Sequence, residues 1–139
     1  MKFNWLFEYG FDWDIYNGEF PFSEKFIEKY LRQENKGTYL CLHDKDTEES
    51  LKMVGNKGKY IFEGDLIIKN ESIVHFVLAK KIKSLESTII NDLPVSGEKL
   101  TFPMNEIFNE KEVIYIFKNF HNNKTIESDL EILRKRYMF

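Results

Sequence analysis

The segment Phe3-Asn4-Trp5-Leu6-Phe7-Glu8-Tyr9-Gly10-Phe11-Asp12-Trp13 places six aromatic side chains at alternate positions. Successive side chains of a β-strand point to opposite faces, so a two-residue period identifies a strand with one aromatic side and one wetter side. A helix would scatter these rings around its axis. A strand of eleven residues would be long, so the first strand is expected over residues 2–9, ending near Gly10. Phe3, Trp5, Phe7 and Tyr9 are then core residues, because aromatic strand faces pack. From Phe3 to Glu24 the chain carries five acidic residues and no Lys or Arg. The opening stretch is therefore both aromatic and anionic.

Working outward, residues 11–22 read as an irregular connection, with Asn17-Gly18 as a turn and Pro21 as a breaker. Ser23 is a good N-cap for a helix over about residues 24–35, whose stripe is Phe26, Ile27, Tyr30 and Leu31 and whose stop is Gly37. Strands are predicted over residues 38–42, 59–62, 65–69 and 72–79, with Asn70-Glu71 as a tight turn. Residues 84–91 lean towards a short helix stopped before Pro94. The apolar run Val113-Ile114-Tyr115-Ile116-Phe117 predicts a central strand over residues 112–118, covered on both faces. Thr125 or Ser128 would cap a final helix over about residues 126–137, striped by Leu130, Leu133 and Tyr137. The sum is an α+β fold: one domain spanning residues 1–139, with a mostly antiparallel sheet of five to six strands and two helices packed on it.

A chain of 139 residues can bury a core without metal or disulfide, and its single cysteine, Cys41, excludes an internal disulfide. No run approaches the roughly 20 apolar residues of a membrane helix, and Asn4, Glu8 and Asp12 interrupt any signal-peptide pattern. A cytoplasmic protein with no membrane partner is expected. Net charge is −3, unevenly spread: residues 1–50 hold eleven acids and six bases, residues 51–139 twelve and fourteen. An acidic half attracts basic partners and repels phosphate, which disfavours nucleic acid.

The segment Val54-Gly55-Asn56-Lys57-Gly58-Lys59-Tyr60-Ile61 resembles the GxxG loop of KH domains, which joins two helices and clamps a nucleic-acid backbone. Such a likeness would imply RNA binding through Gly55 to Gly58. The residues after this loop read as strand, so a two-glycine hairpin turn is the plainer interpretation. Tyr39-Leu40-Cys41-Leu42-His43-Asp44-Lys45-Asp46-Thr47 superficially resembles the motif of haloacid dehalogenase-like phosphotransferases. The threonine is displaced by one position, and the alternating βαβ pattern of that fold is missing. As a calcium loop, Asp44, Asp46 and Glu48 lack the glycine at position six and the glutamate at position twelve. Cys41 and His43 share a strand face, but such neighbours lie roughly 7 Å apart along the backbone. His75 falls on an apolar strand face and His121 in an Asn-rich turn. Neither a catalytic residue nor a metal ligand nor a cofactor is assigned.

The remaining expectation is a partner-binding surface. Loops carry function, and Trp and Tyr are efficient interface anchors. Trp13 and Tyr16 are the candidate anchors, with Glu8, Asp12, Asp14 and Glu19, and the loop residues Asp44, Asp46, Glu48 and Glu49, as the charged groups. Small, acidic, cofactor-independent and devoid of catalytic motifs, the chain is similar in these traits to bacterial immunity proteins that neutralise nuclease toxins. That likeness implies a stoichiometric inhibitor whose carboxylates meet a basic partner. The alternatives are a small enzyme or ligand-binding domain with an aromatic pocket near Cys41 and His43, and an RNA-binding module at Gly55 to Gly58.

Overall fold

The computed structural model describes residues 3–11, 14–18, 23–32, 37–56, 58–67, 72–81, 86–90, 100–127 and 129–134. The chain runs β1 (Trp5–Phe11), β2 (Asp14–Gly18), α1 (Glu24–Leu31), β3 (Thr38–Asp44), β4 (Ser50–Asn56), β5 (Lys59–Ile67), β6 (Ile73–Lys80), β7 (Ser87–Ile90), β8 (Leu100–Pro103), α2 (Glu110–Asn123) and β9 (Leu130–Arg134), with a short 3-10 turn at Met104–Glu106 before α2. Seven strands form one sheet in the order β2-β1-β3-β4-β5-β6-β9. Every adjacent pair is antiparallel. The α+β class, the antiparallel sheet and a helix in each half of the chain all agree with the sequence reading.

Both helices lie on one face of the sheet. Ile27, Tyr30 and Leu31 of α1 and Val113, Ile116, Phe117 and Phe120 of α2 share a core with Leu40, Leu42, Leu51, Met53, Phe62, Phe76 and Leu78. The alternating rings behave as expected: Phe7 is buried there, and Trp5 and Tyr9 pack against the same core. Trp5 also donates its indole N–H to the His121 carbonyl at 3.0 Å, tying the first strand to the end of α2. On the opposite face, Val54 and Ile61 are covered by Ile90 and Phe102 of the β7–β8 hairpin together with Ile107.

Several elements differ from their sequence assignment. The first strand runs through Gly10 to Phe11, and residues 14–18 form β2 rather than an irregular connection, with Phe11 opposite Asp14. Ser23 caps α1 as expected, its hydroxyl accepting from the Phe26 N–H at 3.1 Å, but the helix ends at Leu31. Residues 59–62 and 65–67 belong to a single strand, β5, the remainder of the expected 65–69 strand lies outside the described residues, and β4 has no counterpart in the sequence reading. Residues 87–90 are strand, not helix. The Asn70-Glu71 turn and the Ser128 cap lie outside the described residues.

The largest correction is at residues 112–118, which lie within α2 instead of a central strand. Val113, Ile116, Phe117 and Phe120 are buried at spacings of three and four, whereas Tyr115 and Lys118 face solvent. The apolar run thus covers only part of a helical stripe that continues to Phe120. A capping box starts it: Asn109 Oδ1 accepts from the Glu112 N–H at 2.9 Å, and Glu112 Oε1 accepts from the Asn109 N–H at 2.9 Å. With that helix occupying the sheet, the expected final helix over residues 126–137 gives way to β9, which pairs Leu130 to Arg134 against β6. Adding this strand satisfies backbone groups that β6 would otherwise leave unpaired.

The GxxG segment closes the β4–β5 hairpin, with Asn56 opposite Lys59. Gly58 has φ +80°, a conformation open to glycine at little cost. Gly55 is needed for space: a Cβ there would lie 2.2 Å from the Lys59 carbonyl oxygen. Strands, not the helices of a KH domain, flank this loop.

Candidate functional site

Residues directly opposite one another on neighbouring strands project from the same face, so the register defines what lines the sheet away from the helices. One row across that face reads Glu8, Cys41, Lys52, Glu63, Val77 and Leu133. The next reads Leu6, His43, Ser50, Asp65 and His75. Beyond that row, Ile67 lies opposite Ile73.

Glu63 is only 2% exposed. Its carboxylate lies 3.8 Å from the Lys52 ammonium and 3.5 Å from His75 Nε2, while His75 Nδ1 is 2.9 Å from Asp65 Oδ1. Glu63 Oε2 is buried without a hydrogen-bond partner. Burial holds the Glu63 carboxyl above its ordinary value, and Lys52 and His75 only partly oppose this. The imidazole between two carboxylates, 33% exposed, therefore ties β5 to β6.

Cys41 is 3% exposed, and burial together with the charge of Glu8 pushes its thiol up to about 12. Burial likewise raises the neighbouring Tyr39 phenol, with Cys41 contributing. A thiol so placed stays protonated at neutral pH, whereas the thiolate is the nucleophile. His43 sits one row away on the same face, half-buried.

The acidic segment between β3 and β4 is built differently. Asp44 is 2% exposed, and Glu49 is also buried. Both pair with the ammonium of Lys124, the residue that ends α2 in the left-handed conformation, Glu49 Oε1 at 2.8 Å. The same ammonium lies 4.6 Å from the centre of the Phe3 ring and 5.7 Å from that of Trp5. Asp44 Oδ1 also accepts from the Asp46 N–H at 2.9 Å, and Glu49 Oε2 accepts from the Ile67 N–H at 3.1 Å. Burial alone would raise both carboxyls, but the hydrogen bonds from Lys124 and from these backbone N–H groups outweigh it and hold them below their ordinary values.

Two of the four acids in this turn are thus used internally, and the other two, Asp46 and Glu48, point outward and are exposed. Glu48 adopts φ 68°, unusual for a residue with a side chain. The bond from Ile67 to Glu49 brings the turn beside the β5–β6 hairpin, where Ile67 and Ile73 are 41% and 40% exposed. The exposed Ile67 and Ile73 side chains therefore lie close to Glu49.

The acidic residues expected to act together do not all converge. Asp14 pairs with Phe11 at one end of β1, and Asp44 pairs with Trp5 at the other. Six residue steps separate these ends, roughly 20 Å along a strand. Glu8 lies between them, half-buried on the row with Cys41. Tyr16 is opposite Tyr9 in β2. Asp12, Trp13 and Glu19 lie outside the described residues. Lys124, Glu63, Asp65, Ile67 and Ile73 join the site without having been singled out by the sequence. Ile67 and Ile73 are legible as strand residues, but nothing local in the sequence joins Lys124 to Asp44, 80 positions earlier.

Among the described residues, no group of three or more His, Cys, Asp or Glu side chains could hold a metal ion, and no helix is long and apolar enough to cross a membrane. Compared with known proteins, the chain matches no family model, no curated protein and no solved structure.

Proposed function

We propose that this chain is a stoichiometric binding protein that inhibits a basic partner, in the manner of the immunity proteins that neutralise nuclease toxins. The observation that carries the reading is the β3–β4 turn. Lys124 pairs with both Asp44 and Glu49 from within, which ties the turn to the end of α2, and Asp46 and Glu48 stand exposed on it. Glu48 holds a left-handed conformation that glycine would adopt at lower energy. A carboxylate at that position, adjacent in the chain to Glu49, which accepts from the Ile67 N–H beside the exposed Ile67 and Ile73, supports a role in recognition. Rigid carboxylates steer a basic partner and limit the entropy lost on binding. The reading carries with it a cytoplasmic location and a partner whose own site holds phosphate. An enzyme centred on Cys41 and His43 gains no such support, because the thiol is buried and protonated.

The test is affinity capture of the partner followed by stopped-flow association. The captured protein is expected to be basic, and Asp46→Lys with Glu48→Lys should slow association about tenfold or more, as should raising the salt concentration. The pair Asp12→Lys with Asp14→Lys examines the far end of β1 in the same assay. Association insensitive to both charge reversals and to salt would overturn the proposal.

A further inference from the structure

Towards its tip, the β5–β6 hairpin carries a polar cluster on the sheet face away from the helices. His75 reaches from β6 to two acids of β5: Nδ1 lies 2.9 Å from Asp65 Oδ1, and Nε2 lies 3.5 Å from Glu63 Oε2. The first separation is a hydrogen bond. The second is too long for one, and Glu63 Oε2 is buried without a hydrogen-bond partner. Among the described residues, the neighbouring strands do not supply that partner. β4 offers Lys52, whose ammonium stands 3.8 Å from the other oxygen, Glu63 Oε1. β3 and β1 place Cys41 and Glu8 in the same row, with Tyr39 two positions from Cys41. β9 places Leu133 in that row and Glu131 two positions from it. Apart from Lys52 and His75, these neighbours bring no positive charge.

We propose that Glu63 and His75 form a proton-operated latch: one proton held between His75 Nε2 and Glu63 Oε2 keeps the tip of the β5–β6 hairpin closed, and its release to solvent loosens the strand ends that bear Ile67 and Ile73. Asp65 sets the ring. Because Nδ1–H donates to Asp65, a neutral imidazole turns the Nε2 lone pair on Glu63, and acceptor faces acceptor. A single proton removes the conflict from either side: an imidazolium N–H donates to the carboxylate, or a carboxylic O–H donates to the imidazole. Without it, a carboxylate 2% exposed is left with one oxygen unbonded, a costly state. Burial also holds the Glu63 carboxyl above its ordinary 4.5. The closed hairpin therefore binds this proton more tightly than an open one, so the latch holds at low pH and is lost as pH rises. The tip is the part that yields. Beyond Asp65 and His75 the register continues only with Leu66 opposite Val74 and Ile67 opposite Ile73 among the described residues, and of these four only Leu66 is buried. The Ile67 N–H donates to Glu49 Oε2, so opening also releases the β3–β4 turn from the hairpin.

The latch needs no partner protein, so its failure would leave the reading of the β3–β4 turn untouched. The experiment is amide hydrogen exchange of the full chain followed by NMR between pH 5 and pH 8.5, each rate being compared with the intrinsic rate at the same pH. Protection at residues 65–67 and 73–75 should fall as pH rises, by at most about tenfold per pH unit, the limit for one proton. The β7–β8 hairpin, a separate two-stranded sheet, should keep its protection. Glu63→Gln supplies an amide N–H to Nε2 without a proton and should keep residues 65–67 and 73–75 protected across the range. Nitrogen-15 shifts of the His75 ring should place its hydrogen on Nδ1 at pH 8.5. A ring hydrogen on Nε2 at that pH would give neutral His75 its own bond to Glu63 and overturn the latch. Protection at the tip that changes by less than about twofold would do the same, as would an equal fall in the β7–β8 hairpin or an unaltered pH response in Glu63→Gln.

Discussion

Replacing Lys124 by Met is the sharpest perturbation of this fold. The Lys124 side chain is 14% exposed, and those of Asp44 and Glu49 are 3% and 11% exposed. Removing one partner from so buried a group typically costs about 3–5 kcal/mol, because charge is left uncompensated. Contacts of the ammonium with the Phe3 and Trp5 rings add about 0.5–1 kcal/mol each. Met keeps the length of the side chain and the same backbone strain at φ 52°, so those contributions cancel in the comparison. The carboxylates can escape part of the loss by taking up a proton. For Glu49, ordinarily 4.5, protonation costs about 3.4 kcal/mol at pH 7 and about 0.7 kcal/mol at pH 5, at 1.36 kcal/mol per pH unit. The expected loss is therefore about 3 kcal/mol at pH 7, falling to between about 1 and 2 kcal/mol at pH 5. Adding Glu49→Gln to the variant should restore part of the difference. The assay is urea unfolding followed by tryptophan fluorescence at both pH values, urea being chosen because guanidinium salts screen charge. A loss under about 1 kcal/mol at pH 7, or one of equal size at both pH values, would refute the buried-charge account, since exposed pairs contribute no more than that.

Three further substitutions bear on other parts of the sheet. Because burial raises the folded Glu63 carboxyl above its ordinary 4.5, the folded state binds more protons, and this group's contribution is lost as pH rises from about 4.5 through the folded value. Glu63→Gln should remove that slope and stabilise the protein by on the order of 1 kcal/mol at pH 8; a parallel pH–stability curve would contradict it. Asp44 and Glu49, held low, contribute in the opposite sense: their share is present above about 3.8 and 4.5 and is lost as pH falls. Gly55→Ala would drive a Cβ into the Lys59 carbonyl and should cost about 3 kcal/mol or more by thermal or urea unfolding. Gly58→Ala meets no neighbour and should cost about 1 kcal/mol from its positive φ alone. Equal costs at the two glycines would show that close approach does not explain Gly55.

Local chemistry makes much of this architecture legible. The rings at Trp5, Phe7 and Tyr9 alternate because a strand alternates, and they reach the core as that pattern implies. Ser23 caps α1 through a bond three residues long. Periodicity alone misassigns residues 112–118, where five consecutive apolar side chains are compatible with either a buried strand or part of a helix. Asn109 and Glu112, which form the capping box, are the local signal that separates the two. Residues 130–134 carry no signal strong enough: a short stripe becomes strand because β6 offers an open edge and α2 already covers the sheet.

The candidate site shows the same division more sharply. Sequence alone determined the α+β class, the antiparallel pairing, the acidic character of the first third of the chain and the polar, acidic loop that contains Asp44, Asp46, Glu48 and Glu49. It could not distinguish the outward pair, Asp46 and Glu48, from Asp44 and Glu49, which carry the same charge in the same loop. Only the tertiary structure did so, by bringing Lys124 across from the end of α2 to pair with Asp44 and Glu49 and leave the other two outward. Hydrogen-bonded caps and strand alternation act over a few residues and are written locally. The burial of a charge depends on which distant group arrives beside it, and that is decided when the elements pack.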